Sequence, residues 1–482
     1  MKEKFLVGFS EKSITPDRPI SLAGQFHTRI SQYVETPVTV NVMALETASE
    51  QLILCSCDLG GISAVLSRRV RSAVAERNIG INPDKIIISA THTHTSLSYG
   101  TPEDARRPSA MYYPNANTVM PDGKRFVNTT PVAPEVIVGK EALDFLVERI
   151  SLAVCEAWED RKPSRYALGF GRACIGYCRR RYCKEGIPQL GRKPSAENYF
   201  CVVEGGSDSG IEMIFVFDND GKPRGVVASV ACPSQIVESQ YFVSSDYWGK
   251  ARINLKAHFG EDFHIVGLCS AAGDQSPRDT VRYGKVVEPS MADIEGTVLV
   301  GRYLSNAIID AYEGAKSRIC DEVELIHKTE IFDLPINKVT EDEYNLSRER
   351  LDAFVQEANK DVFGFEDMIR IHQEIGKIFL YNWQKNVETM TAEIHIARLG
   401  EMAIATNPFE LFLDYGNQIK ARSRANQTML IQLACDNLGY LPTVKAEAAG
   451  GYGTTIGSCC CGHEGGEQLV EQTVKLINSI WE

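Results

Sequence analysis

Residues 89–96 read Ser89-Ala90-Thr91-His92-Thr93-His94-Thr95-Ser96 and directly follow three isoleucines at positions 86–88. A short β-branched run of this kind predicts a fully buried strand. Because alternate side chains of an extended chain point to the same face, His92 and His94 are expected to converge at the end of that strand. Two imidazoles at this spacing favour a metal site or an acid–base site over histidines that only fill the core.

The strand before the histidines belongs to a predicted strand–helix–strand unit. Residues 52–57 read as a buried strand that closes on Asp58, and residues 62–77 have the periodicity of a helix that stops near Gly80. This order predicts two parallel strands. Ligands of such sheets bind beyond the carboxyl ends of the strands, where Asp58 and His92 both lie.

The same alternation of buried strands and helices continues along the chain. It predicts an α/β fold with mixed β-sheets and flanking helices in a single large layered domain over residues 1–482. No internal repeat, low-complexity tract or linker is evident, so one integrated domain is expected, without a C-terminal immunoglobulin-like domain.

Composition narrows the class of protein. A net charge of -12 and a pI near 5.4 argue against nucleic acid or an anionic membrane as a partner. The first residues lack the apolar run of a secretion signal, and no stretch approaches transmembrane length, so we expect a cytoplasmic protein. Its 14 cysteines are then expected to be thiols or ligands. The expected partner is a small-molecule substrate, and assembly into a homo-oligomer stays open.

Several chemically reactive residues come just after a hydrophobic strand: His92, Cys232, Ser276, Glu410 and Tyr440. Imidazole, thiolate and carboxylate together can bind a zinc ion and leave one position open for water. Each residue also has a structural alternative. Cys232 can be a buried small hydrophobe, Glu410 can stabilise a helix N-terminus, and His94 can serve only to orient His92.

Two further groups of cysteines invite a metal interpretation, namely residues 459–461 with His463, and Cys174, Cys178 and Cys183. Neither group has the paired two-residue spacing of a structural zinc site, so no separate metal site is predicted there. The arginines at 179–181 are either a solvated face or a binding site for a substrate carboxylate or phosphate.

Three motifs resemble the catalytic domain of the neutral/alkaline non-lysosomal ceramidases. They are the Thr-His-Thr-His-Thr-Ser run after a buried strand, Gly-Asp-Gln-Ser-Pro at 273–277, and residues 436–440 with the Gly-Gly-Tyr that follows. The resemblance runs in order from about Val7 to the C-terminus. That family is zinc-dependent and hydrolyses the amide of N-acylsphingosine, so the resemblance implies a metal-dependent hydrolase of the amidohydrolase type.

The resemblance also implies roles for individual residues. One Zn²⁺ ion would be held by His92, Cys232, Glu410 and Tyr440, with Cys232 standing where the family has its second zinc-binding histidine. The implied catalytic and substrate-facing residues are His94, Arg180, Tyr440, Tyr452, Gly24 and Ser276. Arg179 and Arg181 stay open as alternatives to Arg180, and attack by metal-bound water would leave Ser276 a structural role.

The expected substrate differs from that of the family. A cysteine in place of a histidine adds negative charge at the metal and weakens its Lewis acidity. The sequence also has no evident apolar stretch for docking to a bilayer. We therefore expect hydrolysis of an amide bond in a small polar molecule by metal-bound water. Two alternatives stay open: the same metal site hydrolysing an ester or glycosidic bond, and a non-catalytic ligand-binding homologue.

Overall fold

The computed structural model describes residues 2–101, 117–119, 125–127, 132–183, 200–282, 290–358 and 365–481. The strands in these ranges are β1 (Phe5–Ser13), β2 (Ser21–Leu22), β3 (Arg29–Ile30), β4 (Thr39–Thr47), β5 (Gln51–Cys57), β6 (Ile86–Ala90), β7 (Asn117–Val119), β8 (Arg125–Val127), β9 (Lys162–Pro163), β10 (Arg165–Arg172), β11 (Tyr177–Cys178), β12 (Arg181–Cys183), β13 (Phe200–Val203), β14 (Gly210–Phe217), β15 (Pro223–Val230), β16 (His264–Cys269), β17 (Gln275–Ser276), β18 (Leu325–Pro335), β19 (Thr389–Leu399), β20 (Met402–Thr406), β21 (Glu410–Leu411), β22 (Gln427–Ile431) and β23 (Tyr440–Leu441).

The helices are α1 (Ala64–Ala75), α2 (Gly139–Glu159), α3 (Asp246–Phe259), α4 (Ile294–Ala315), α5 (Glu341–Ala358), α6 (Phe365–Trp383), α7 (Leu413–Arg422), α8 (Val444–Ala449) and α9 (Gly462–Ser479). Helix α1 begins where the Ser63 side chain accepts a hydrogen bond from the backbone N–H of Leu66, which satisfies one of the N-terminal donors. Among the described helices, none has both the length and the hydrophobicity that a bilayer span requires.

Three sheets share one topology. Their strand orders are β6-β5-β4-β1-β9, β10-β14-β15-β16 and β18-β19-β20-β22. In each sheet three antiparallel strands lead through a helix to a fourth strand that is parallel to the third. The crossover helices are α1, α3 and α7. The chain thus contains a threefold repeat of topology, although no repeat is evident in its sequence. Each sheet with its crossover helix is called a unit here, and the units are numbered in chain order.

The three sheets enclose one shared hydrophobic core, and helices cover their outer faces. Leu52 and Leu54 of β5 face the shared core, while Ile53 and Cys55 of the same strand pack toward α1 and α2. This alternation follows from the period of two along a strand, and it makes the strand apolar on both faces. Helices α3 and α4 cover the second sheet, and α7 and α9 cover the third. The predicted α/β fold with mixed sheets and flanking helices is confirmed.

The carboxyl ends of the three parallel strand pairs lie close together. Backbone hydrogen bonds join the segments at these ends: Ser234 N–H donates to Thr91 O (3.3 Å), Gly273 N–H to Leu411 O (2.8 Å), and Cys435 N–H to Ile88 O (2.7 Å). Loops of all three units therefore contribute side chains to one region, as expected for ligand sites at the carboxyl ends of parallel strands.

Candidate active site

His92 stands just past the carboxyl end of β6 with left-handed backbone geometry (φ +63°). That conformation is uncommon for a residue with a Cβ and is enriched at functional sites. Its Nδ1 lies 2.5 Å from the Gly60 carbonyl oxygen, so Nδ1 carries the ring proton and Nε2 presents a lone pair. Nε2 is buried, has no hydrogen-bond partner among the described residues, and lies 3.2 Å from Glu410 Oε2.

The pair of His92 and Glu410 places two electron-rich atoms opposite each other. Burial on its own lowers the pKa of His92, but the Glu410 carboxylate and the Gly60 carbonyl outweigh it and raise the pKa. Burial likewise raises the pKa of Glu410, and His92 reverses that direction, so the net shift is downward. Both shifts have the same cause: a positive charge between the two side chains stabilises this arrangement, and either a proton or a cation can supply it.

Tyr440 joins this pair through the parallel pairing of β21 with β23, where Glu410 and Tyr440 are register partners. Its phenol hydrogen-bonds the Glu410 carboxylate. An imidazole nitrogen, a carboxylate and a phenol from two of the three units thus meet at one buried point.

His94 lies edge-on to His92, with ring centroids 4.9 Å apart. The predicted convergence of the two rings is confirmed, although the backbone is not extended there, because β6 ends at Ala90. The Gln235 amide lies 2.8 Å from His94 Nε2, and His94 Nδ1 lies 3.5 Å from Glu238 Oε2. Burial lowers the pKa of His94, so its imidazole is neutral at neutral pH and can accept a proton.

Arg179 supplies a permanent positive charge to the site. Its Cζ lies 5.2 Å from the ring centroid of Tyr440 and 5.3 Å from that of Tyr452, and its Nη2 donates to the Gly273 carbonyl at 2.8 Å. Burial lowers the pKa of Arg179, but the two tyrosines and Glu410 reverse this, so its net pKa is raised. The rings of Tyr440 and Tyr452 are themselves 5.3 Å apart.

Arg180 points the other way and supports the loop that carries Tyr452. Its guanidinium binds Glu204 through two contacts of 2.7 and 2.9 Å. It also donates to three backbone carbonyls of that loop, those of Ala446, Gly450 and Tyr452. Of the arginines that the sequence left open, Arg179 therefore contacts Tyr440 and Tyr452 directly. Arg180 instead stabilises the segment that carries Tyr452.

Cys232 lies two residues after the end of β15 and is fully buried, with its Sγ donating to the Ile175 carbonyl at 3.2 Å. Burial raises the pKa of this thiol well above its ordinary value. In the described part of the chain, one group of three His, Cys, Asp or Glu residues has ligand atoms all within 4.8 Å of one another, and it consists of Glu393, His395 and Cys435. Cys232 does not form such a group with His92 and Glu410.

The Gly-Asp-Gln-Ser-Pro segment acts as a connector in this structure. Ser276 pairs with Tyr177 in a two-stranded ladder, and its Oγ accepts from the Arg278 backbone N–H at 3.3 Å. Asp274 Oδ1 accepts from the Leu413 N–H at the start of α7 (2.9 Å). The segment thus ties the second unit to the third beside Glu410.

The other cysteines that invited a metal interpretation lie elsewhere. Residues 459–461 are buried in the core of the third unit. Cys174 is exposed and Cys178 is buried, while the side chain of Cys183 lies outside the described residues.

Two residues at the site were missed by the sequence analysis, Gln235 and Glu238, both of which face His94. They follow β15 by a few residues, so their position after a buried strand was a usable signal. Gly60, whose carbonyl fixes the His92 tautomer, was missed as well. The contact is made by the backbone carbonyl, and glycine has no side chain that could indicate such a role in the sequence.

Comparison with known proteins shows the fold. No family model and no curated protein matches the sequence. Two solved structures are similar: neutral ceramidase from Pseudomonas aeruginosa (TM-score 0.68, 15% identity, covering 99% of this chain and 74% of that chain), and a ceramidase complexed with C2 (TM-score 0.68, 14% identity, covering 99% and 75%). The chain has the neutral ceramidase-like fold that the sequence motifs predicted.

Proposed function

We propose that this chain is a metal-dependent hydrolase that cleaves an amide bond of a small polar substrate at the cluster around His92. The observation that carries the proposal is the buried pair of His92 Nε2 and Glu410 Oε2, 3.2 Å apart. The Gly60 carbonyl already engages the ring proton on Nδ1, so a lone pair faces a carboxylate. A divalent cation satisfies both groups, and a metal-ligating histidine typically donates its second nitrogen to a carbonyl in this way.

The donor set fits zinc. His92 offers a nitrogen, and Glu410 and Tyr440 offer oxygens; three protein ligands with a further open position are typical of catalytic zinc sites. When bound, the metal would supply a Lewis acid that activates water and polarises a carbonyl group.

Arg179 is the residue placed to stabilise negative charge on the substrate. Hydrolysis of an amide builds negative charge on the carbonyl oxygen, and a fixed buried donor aimed at that charge lowers the barrier. The guanidinium lies beside the rings of Tyr440 and Tyr452 and donates a hydrogen bond to the Gly273 carbonyl. Its orientation is therefore set before the substrate arrives.

His94 is the residue placed to move a proton at Nε2. Its ring is neutral, so Nε2 is basic, and its other nitrogen lies toward the Glu238 carboxylate. A carboxylate in that position stabilises the imidazolium that forms when Nε2 takes a proton, and the imidazolium can then protonate the leaving amine. Gln235, now bound to Nε2, would be exchanged for the substrate.

The similarity of fold supports an amide as the bond that is cleaved. The similar solved structures are ceramidases, and the motifs shared with that family surround the same cluster. This supports an amide, and the acidic chain without an evident bilayer-docking stretch favours a small polar amide over a membrane lipid.

Metal analysis with a substrate panel tests the proposal. Protein purified without added metal is expected to hold about one equivalent of zinc and to lose it in His92→Ala. The panel contains N-acyl amides, esters and glycosides, and hydrolysis of the amides is expected. His94→Ala is the matched variant, because it should keep the metal and lose about 10²- to 10⁴-fold in turnover.

Three outcomes would contradict the proposal. A metal content below a few tenths of an equivalent that does not change in His92→Ala removes the metal. Turnover of esters or glycosides alone changes the bond. Stabilisation by panel compounds without any product indicates a ligand-binding homologue.

A further inference from the structure

A second cluster of reactive side chains lies between helix α1 and the third sheet. Glu393 and His395 come from β19, Cys435 follows β22, and Arg71 comes from α1. The ligand atoms of the first three lie within 4.8 Å of one another. None of the four takes part in the hydrolytic site proposed above.

The place that a metal would occupy in this cluster is taken by Arg71. Its Nη2 lies 2.8 Å from Glu393 Oε1, 3.2 Å from His395 Nε2 and 3.3 Å from Cys435 Sγ. One guanidinium nitrogen therefore touches all three atoms that would bind an ion. The fixed positive charge of Arg71 would repel a divalent cation beside it, so this cluster is not expected to bind a metal ion.

We propose that Cys435 is a nucleophilic thiolate, held by Arg71 and His395, that reacts with small uncharged soft electrophiles entering from an adjoining cavity. In this step a sulfur electron pair forms the bond to the electrophilic carbon, and the leaving group departs with the electron pair of the broken bond. No oxidant or reductant is required.

The hydrogen bonds around His395 locate its protons. His327 Nδ1 lies 3.1 Å from the Gln51 carbonyl, so that nitrogen is protonated and His327 Nε2 is an acceptor. His395 Nδ1, 2.9 Å away, must then donate to it. The remaining nitrogen, His395 Nε2, lies 2.8 Å from Glu393 Oε1, 3.7 Å from Cys435 Sγ and 3.2 Å from Arg71 Nη2. A proton on Nε2 would face the Glu393 carboxylate and the Cys435 sulfur.

The charges that surround the sulfur agree with this assignment. Burial alone would raise the pKa of Cys435, but Arg71 and His395 outweigh burial and the net pKa is lowered. Burial would lower the pKa of His395, and Cys435 and Glu393 reverse this, so its pKa is raised. His327 stays neutral, because burial and His395 lower its pKa to about 3. Other charged groups on the packed elements include Arg68, Asp84, Asp436 and Lys85 with its ion-pair partner Glu50. The Nζ of Lys85 donates to the His327 carbonyl.

A cavity of about 470 Å³ gives reagents a route to the sulfur. Arg68, Arg71, Asp84, Glu393 and Cys435 are among its lining residues. Cys435 lines this cavity and is only 4% exposed, so we expect small reagents to reach it and large ones to be excluded. Its backbone is left-handed (φ +62°), an arrangement that costs about 1–2 kcal/mol for a residue with a Cβ and is enriched at functional positions.

Alkylation of the full-length protein with iodoacetamide tests the proposal, with peptide mass spectrometry to measure each cysteine. The carbon–sulfur bond forms and iodide leaves. We expect the rate at Cys435 to reach half its maximum at least about one pH unit below the pH for an ordinary thiol. The exposed Cys320 serves as the reference within the same sample.

Variants separate the thiolate environment from simple exposure. Arg71→Met should move the half-maximal pH at Cys435 upward by about one unit or more, whereas Arg68→Met, which removes a charge from the same cavity, should leave it nearly unchanged. The pH profile of alkylation in the native protein tests the proposal without any variant. The proposal can therefore still be contradicted if Arg71→Met fails to fold. Cys435→Ser should remove the labelled peptide and leave hydrolysis at the His92 site intact.

Three results would overturn the proposal. The first is a pH profile at Cys435 equal to that of Cys320, and the second is no labelling of Cys435 in the folded protein. The third is stoichiometric protection of Cys435 by Zn²⁺ that a chelator reverses, which would show that the cluster binds metal.

Discussion

Gly24 lies so close to the ring of His94 that a Cβ at residue 24 would stand 2.2 Å from His94 Cγ. The backbone of Gly24 is also left-handed, with φ +89°. Glycine is required here for two reasons: the conformation disfavours a Cβ, and the space for one is filled by the imidazole. The main chain of Gly24 therefore packs against the imidazole of His94 and limits where the ring can lie.

Gly24→Ala should displace His94 and reduce turnover. Gly80→Ala is the matched control, because Gly80 has the same φ of +89° and nothing within 4 Å of its added Cβ. Backbone strain should cost both variants about 1–2 kcal/mol in urea unfolding. Loss of turnover on the amide substrate, with metal retained, should appear in Gly24→Ala alone. Equal turnover in the two variants would show that the contact with His94 does not position the ring.

Arg179→Met and Arg180→Met should separate catalysis from stability. Arg179→Met removes the charge beside Tyr440 and Tyr452, so kcat/KM should fall by about 10²- to 10³-fold. Arg180→Met leaves Glu204 buried without its partner and should cost about 3–5 kcal/mol in the free energy of unfolding. Steady-state kinetics and urea titration of both proteins check this. The reverse pattern would assign the catalytic charge to Arg180.

The ion pair of Glu238 with Arg278 and its contact with His94 should make the stability of the fold depend on pH. Burial alone raises the pKa of Glu238, but His94 and Arg278 lower it, to about 2 from an ordinary value of 4.5. A depressed carboxyl pKa stabilises the folded state above pH 4.5, and that stability is lost as pH falls from about 4.5 toward about 2. The full contribution is about 3 kcal/mol at 1.36 kcal/mol for each pH unit. Urea unfolding at several pH values should show a shallower loss in Glu238→Gln, and identical slopes would contradict the assignment.

Local patterns carried the fold prediction a long way. The sequence predicted β6 from residues 86–90 and α1 from residues 62–77, because β-branched runs and helical periodicity are local properties. The threefold repeat was not predicted, since a strand such as β5 is apolar on both faces and so gives no distinctive pattern that could be matched between units. A repeat of topology also tolerates loops of very different length, which removes a fixed period from the sequence.

The site was predicted only in part, for a physical reason. His92, Glu410 and Tyr440 stand at strand ends, and strand ends of parallel pairs converge. Neighbouring arginines point to opposite sides of an extended chain, so the sequence could not distinguish Arg179 from Arg180 without knowledge of which side is the site. That information exists only after the three units have packed together.

The variant Cys232→Ser tests whether Cys232 is a zinc ligand. The sequence resemblance makes Cys232 a zinc ligand, whereas its Sγ donates to the Ile175 carbonyl and forms no group of three with His92 and Glu410 within the described residues. Serine keeps a donor for that carbonyl, so the geometry predicts that the variant retains its zinc and loses about 1 kcal/mol of stability or less. Tyr440→Phe, which removes the hydroxyl group beside Glu410 and keeps the ring, is the contrasting variant and should bind metal more weakly. Metal content after dialysis against a graded chelator measures both; if Cys232→Ser released zinc as readily as His92→Ala, the sulfur would have to turn toward the metal in the loaded protein.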